Sequence, residues 1–293
     1  MKTFGRILTA MITPFNVDFS VNYQGAANLA KHLVANGSDG LVVAGSTGEA
    51  ATMTKEEKLK LFSAVLDAVG GKATVIAGTG SNDTRASIAL TQEAEKLGVH
   101  GSLLVGPYYN KPPQEGYYQH FKAIADNTGL PLIVYNVPGR TASNILPATI
   151  ARLAQIENIV AVKESSGNLD QVSEIVRAVP KDFMVYSGDD SLTLPILAVG
   201  GVGIVSVAGH IVGKRMQEMI AAYFAGDIVT ARDIHLELMP FFKVIFVTTN
   251  PIPIKTACNL AGLNAGPLRQ PLIAATEAET EQIRKVMKDI GAL

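Results

Sequence analysis

Residues 159–168 read IVAVKESSGN. Four apolar residues run without a polar break into Lys163, which is not the alternating pattern of a strand with one wet face. A run that is apolar at successive positions suits a strand buried on both faces, as in a parallel sheet covered by helices. Lys163 then stands at the end of a core strand. An ammonium usually seeks water, so either the strand leaves the core there or the core holds the lysine for chemistry.

Working outward from this stretch, seven further runs of the same kind appear: ILTAMIT (7–13), GLVVAG (40–45), ATVIAG (73–78), GSLLVG (101–106), PLIVYN (131–136), FMVYSG (183–188) and GIVSVAG (203–209). Between them lie stretches of helical period. KEEKLKLFSAVLDAV, from Lys55 to Val69, places apolar residues at i, i+3, i+4 and i+7 with charges opposite. Eight β/α units with no break in composition predict an α/β fold, a (β/α)8 TIM barrel, with a doubly wound open sheet as the runner-up. Residues 214–293 read as more helices than one unit needs. The expected division is a barrel core over 1–213, then the last barrel helix with an appended C-terminal helical segment over 214–293.

The chain has 293 residues, 47% of them hydrophobic, enough to bury a large core. A formal net charge of −1 gives no sign of a nucleic-acid partner. Its single cysteine, Cys258, can form neither an internal disulfide nor a cysteine-based metal site alone, which fits a reducing, cytoplasmic setting. The stretch 191–213 contains no Asp, Glu, Lys or Arg and is long enough to span a bilayer. Pro195, His210 and the Gly200–Gly201 break argue against a span, and the apolar run from Ile7 to Ile12 is too short for an export signal.

In a TIM barrel the chemistry sits at the C-terminal ends of the strands. After the second, fourth, fifth, sixth and seventh runs come GSTGE (45–49), PYYNKP (107–112), YNVPGRT (135–141), KESSGN (163–168) and SGDD (187–190). Held in an apolar wall, the amine of Lys163 can attack a carbonyl and form a Schiff base; the bland alternative is an ion pair with Glu164 or another barrel carboxylate. Tyr135 ends the preceding strand and can pass protons to and from a carbinolamine, or is an ordinary rim tyrosine. Arg140 can form a bidentate pair with a substrate carboxylate, or a surface salt bridge. GSTGE supplies small residues, backbone N–H groups and two hydroxyls, which suits a carboxylate held in a nest and does not match either phosphate-loop spacing.

These motifs, together with NPIPIK (250–255), occur in the order and spacing of the pyruvate-dependent class I lyases, the dihydrodipicolinate synthase and N-acetylneuraminate lyase family, which the chain resembles from about Gly5 to its C-terminus. YNVPGRT and NPIPIK resemble the dihydrodipicolinate synthase branch, in which the arginine of GRT holds the carboxylate of aspartate semialdehyde. The resemblance implies that Lys163 forms the imine with pyruvate, Tyr135 shuttles protons and Tyr109 completes a hydroxyl relay from a neighbouring subunit. It also implies that the Thr47 region binds the pyruvate carboxylate and that Gly188 and Val205 contact substrate through the backbone. Ser46 stands where the synthases commonly carry the relay threonine. Its hydroxyl can do the same transfer with more rotamer freedom, and the serine is shared with the sugar-acid lyases.

The resemblance thus implies a condensation of pyruvate with aspartate semialdehyde on the way to diaminopimelate and lysine, on small-molecule substrates alone, with no metal and no organic cofactor, in a homotetramer built as a dimer of dimers. The competing expectations are a retro-aldolase releasing pyruvate from a 2-keto-3-deoxy sugar acid or N-acetylneuraminate, and a non-catalytic pyruvate-binding regulator.

Overall fold

A computed structural model describes residues 4–293. Eight parallel strands follow chain order in a closed barrel. They are β1 Ile7–Ala10, β2 Gly40–Val43, β3 Thr74–Gly78, β4 Gly101–Val105, β5 Leu132–Asn136, β6 Ile159–Glu164, β7 Met184–Ser187 and β8 Gly203–Ser206. Each lies inside one of the eight runs read from the sequence. A closed strand order excludes the doubly wound alternative, which needs a reversal of order at a switch point. Every residue of β1, β2, β5, β7 and β8 is buried, the signature of strands covered on both faces.

The chain divides into two compact units, one of Ile76–Val205 and one of Met1–Val75 with Ser206–Leu293. In the first, β5 pairs with β6 so that Tyr135 stands opposite Lys163 and Asn136 opposite Glu164, and β6 pairs with β7 with Lys163 opposite Tyr186. Two of its helices start at side-chain caps that satisfy the otherwise unpaired N–H groups of a first turn. Asp83 accepts from the N–H groups of Arg85 and Ala86 ahead of the helix Thr84–Leu97, and Asn168 accepts from those of Asp170 and Gln171 ahead of the helix Leu169–Ala178.

In the second unit the helix Lys55–Val69 has the limits its periodicity predicts and opens with a capping box between Thr54 and Glu57. Four helices of nine residues or more follow β8: Gly209–Phe224, Ile228–Val244, Ile252–Leu260 and Glu277–Asp289. The expected division at 213/214 falls within the first of these, whose backbone leaves helical values at Val212 (φ −113°, ψ 24°). His210 on that helix is enclosed, with Nε2 accepting the N–H of Ile12 at 3.1 Å and Nδ1 donating to the carbonyl of Val207 at 2.8 Å.

The uncharged stretch 191–213 is broken into the helix Thr193–Ala198, β8 and the start of the helix Gly209–Phe224. Among the described residues no helix is long and apolar enough to cross a membrane.

Candidate active site

The alternation of β6 sends Lys163 and Glu164 to opposite faces of the strand. The Glu164 carboxylate is committed on its own side: Asn136 Nδ2 donates to it at 2.9 Å, Gln171 Nε2 at 3.4 Å, and the N–H of Ser166 at 2.7 Å. Asn136 in turn donates to Asn144 Oδ1 at 2.8 Å and accepts the N–H of Ile145 at 3.0 Å, so this buried polar cluster is internally satisfied. The neighbouring acid therefore does not pair with the lysine. Lys163 is buried, 4% exposed, and its Nζ lies 4.1 Å from the centroid of the Tyr135 ring on the adjacent strand. Tyr135 is itself buried. An enclosed amine against a phenol ring is the pair the sequence picked out.

Gly188 closes the other side of the lysine. Its N–H donates to the carbonyl of Glu164 at 2.8 Å, and a Cβ there would collide with Ser165 Oγ and stand 2.9 Å from Lys163 Cε. Only glycine leaves that space open. Ser165 Oγ is buried with no hydrogen-bond partner among the described residues. Val205 on β8 is fully buried, so its side chain belongs to the core.

Arg140 sits in the one-turn helix Pro138–Thr141, which ends at Ala142 in the left-handed region (φ 54°); the residue is exposed. Tyr109 is 90% exposed and held at φ 71° beside Tyr108, with Lys111 at φ 35° following. Asn110 Nδ2 fixes this loop by donating to the carbonyl of Asn82 at 2.9 Å.

Ser46 and Thr47 belong to the unit of the chain termini. Ser46 is exposed and Thr47 buried. The GSTGE loop is a tight double turn: the N–H of Gly48 donates to Gly45 O at 3.0 Å, that of Glu49 to Ser46 O at 3.1 Å and that of Ala50 to Gly45 O at 3.2 Å. The N–H groups of Ser46 and Thr47 have no acceptor among the described residues. Two successive unpaired donors in such a turn form an anion-binding concavity.

Sequence reasoning gave Glu49, Asn250 and Lys255 no role, although all three lie inside quoted motifs. Glu49 and Lys255 form an ion pair of 2.7 Å with both side chains 1% exposed, and Asn250 Nδ2 donates to Thr47 Oγ1 at 2.9 Å. Burial draws the Lys255 amine below the ordinary lysine range, with Glu49 opposing the shift. The signal available in the sequence was an acid and a lysine in otherwise apolar or small-residue motifs, GSTGE and NPIPIK.

A closed parallel barrel that sets an amine opposite a phenol near the C-terminal ends of neighbouring strands has the build of a barrel lyase. The model of the dihydrodipicolinate synthetase family matches residues 3–290. A 4-hydroxy-tetrahydrodipicolinate synthase of Heliobacterium modesticaldum is 60% identical over 288 residues, 98% of this chain and 96% of that one. The crystal structure of the dihydrodipicolinate synthase of Cyanidioschyzon merolae superposes with a TM-score of 0.98 at 48% identity, covering 99% of both chains. A monomeric dihydrodipicolinate synthase variant superposes with a TM-score of 0.97 at 43% identity, covering 99% of this chain and 98% of that one. The chain belongs to the dihydrodipicolinate synthetase family.

Proposed function

We propose that the protein condenses pyruvate with L-aspartate 4-semialdehyde to give 4-hydroxy-tetrahydrodipicolinate, in the route to diaminopimelate and lysine. The observation that carries the chemistry is the Lys163 amine, buried against Tyr135 while Glu164 is engaged on the opposite face of β6. A lysine kept in that setting is a nucleophile rather than half of an ion pair.

Lys163 Nζ adds to the ketone carbon of pyruvate, and the carbinolamine loses water to give an imine. The imine is the electron sink that lets a methyl proton leave, which generates an enamine. The enamine carbon attacks the aldehyde, and the substrate's own amino group then displaces Lys163 as the ring closes. Tyr135, with Ser46 and Tyr109, moves the protons in these steps. The two unpaired N–H groups at Ser46 and Thr47 suit the pyruvate carboxylate, and Arg140 suits the carboxylate of the aldehyde. Gly188 and Val205 contribute backbone only, and no group besides the chain and its two substrates enters the sequence of steps.

The assembly we propose is a cytoplasmic homotetramer in which Tyr109 reaches a neighbouring subunit. A large aromatic residue 90% exposed and at positive φ supports this, since an isolated chain gains nothing from holding it there.

Incubation with pyruvate and borohydride tests the reading: one pyruvate-derived adduct is expected on Lys163, because an imine is reducible and a salt-bridged ammonium is not. An adduct mapped to another lysine, or none, overturns it. Parallel assays of the condensation and of cleavage of N-acetylneuraminate and 2-keto-3-deoxy sugar acids separate synthase from retro-aldolase.

A further inference from the structure

The NPIPIK segment sends two side chains toward the GSTGE loop, and the proposed reaction gives neither a part. Lys255 Nζ donates to Glu49 Oε1 at 2.7 Å and to the carbonyl of Thr13 at 2.9 Å, and lies 4.1 Å from the centroid of the Phe15 ring. Glu49 Oε2 accepts the N–H of Arg269 at 2.8 Å. Thr13 Oγ1 donates to the carbonyl of Gly48 at 2.7 Å, and Asn250 Nδ2 donates to Thr47 Oγ1 at 2.9 Å. The loop is thus tied at three successive residues, Thr47, Gly48 and Glu49.

Stability alone is a weak account of this arrangement. Two charges taken fully out of water are often no better for folding than a well-packed apolar pair of the same size, so a buried pair is weak evidence of a stabilising role. What a buried, multiply hydrogen-bonded pair supplies is fixed position. Glu49 itself is held in the left-handed region at φ 57°, and Ala44, before the loop, at φ 52°. A loop bent this way presents its donors in one direction only while both ends are pinned. The result is that the N–H groups of Ser46 and Thr47 are left over. With Asn250 donating to Thr47 Oγ1, the hydroxyl proton of Thr47 is also free for an acceptor.

We propose that the Glu49–Lys255 ion pair, assisted by Asn250, is a positioning device that aims the donors of Ser46 and Thr47 at a carboxylate, so that pyruvate affinity depends on two residues that do not touch pyruvate. This rests on the reading that pyruvate is bound there and trapped on Lys163. A positioning role affects how much pyruvate is needed, and leaves the chemistry at saturation nearly intact.

The test uses the full-length protein and follows borohydride trapping of pyruvate on Lys163 as a function of pyruvate concentration, beside steady-state kinetics. Glu49→Gln or Lys255→Met alone strands one buried charge and can prevent folding. The double variant Glu49→Gln/Lys255→Met strands none, and Glu49→Asp keeps both charges while shortening the tether by one methylene. In both, half-saturation by pyruvate is expected to rise at least ten-fold, with full trapping and kcat within about three-fold at saturation and the KM for the aldehyde unchanged. A folded variant of either kind that half-saturates within two-fold of the parent overturns the proposal, since a merely structural pair would change the melting temperature and not the KM. In the parent protein, where no variant has to fold, saturating pyruvate should slow amide hydrogen exchange of the 45–50 peptide; unchanged exchange there also overturns the proposal. Absence of any adduct in the parent would instead refute the underlying function.

Discussion

His210 uses both ring nitrogens inside the unit of the chain termini, accepting from Ile12 and donating to Val207, which fixes the neutral ring and leaves no room for a second proton. Burial lowers its pKa from the ordinary 6.5 to about 4. As pH falls below about 6.5 the unfolded chain takes up a proton that the folded imidazole refuses until about pH 4. Stability is therefore present near neutrality and lost across that window, by roughly 3 kcal/mol from this one group. His120, 5% exposed and bonded through Nδ1 to Thr84 Oγ1 at 2.9 Å, is also lowered to about 4 and acts in the same direction. His210→Gln is expected to flatten the fall in stability between pH 6.5 and 4 measured by chemical denaturation; a variant whose stability follows pH as steeply as the parent would show that another group sets the slope. Individual positions were legible in the sequence where the chemistry is local. Lys163 and Tyr135 stand at the ends of recognisable strands, whereas the partner of Ile12 lies 198 residues away and carries no periodic signal.

Among the elements, the strands were readable because a parallel strand buried on both faces writes itself as an unbroken apolar run. Their ends were less readable. ILTAMIT remains buried to Thr13, but β1 ends at Ala10; beyond it the N–H of Met11 bonds to the carbonyl of Val42 and that of Ile12 to a side chain, His210. The helix Lys55–Val69 shows both kinds of information. Its period and its Thr54/Glu57 cap are in the local sequence, while its attachment to the C-terminal segment is not. Arg269 makes that attachment. Its guanidinium grips the Glu57 carboxylate at 2.6 and 2.8 Å and also donates to the carbonyls of Phe19 and Thr52. Arg269→Lys retains the charge and loses the fork, leaving several of these acceptors without a partner, and should destabilise the protein by about 2–3 kcal/mol. Thr54→Ala removes only the cap and should destabilise by about 1 kcal/mol. Thermal melts of the two variants are expected to fall in that order; equal melting temperatures would mean the C-terminal segment is held by other contacts.

For the whole molecule, the barrel was legible from counting eight units, whereas the proposed assembly was suggested by family resemblance alone, because no local pattern in the sequence says what covers an exposed residue. Tyr109 is where the proposed assembly can be checked. Sedimentation should give a tetramer, with activity falling on dilution as subunits separate, and Tyr109→Ala should lower kcat while the chain remains folded. A fully active monomer would remove the shared site. The arrangement of the chain also has a consequence for synthesis. The unit formed by residues 1–75 and 206–293 is discontinuous, and the buried carboxylate of Glu49 waits for an amine that follows 206 residues later. At translation rates of about 5–20 residues per second that delay is on the order of 10–40 s. During it the continuous stretch 76–205 is made and emerges, able to gather its own strands. The opening quarter of the protein is thus made first and completed last, and a chain released before Lys255 retains a carboxylate that it cannot enclose.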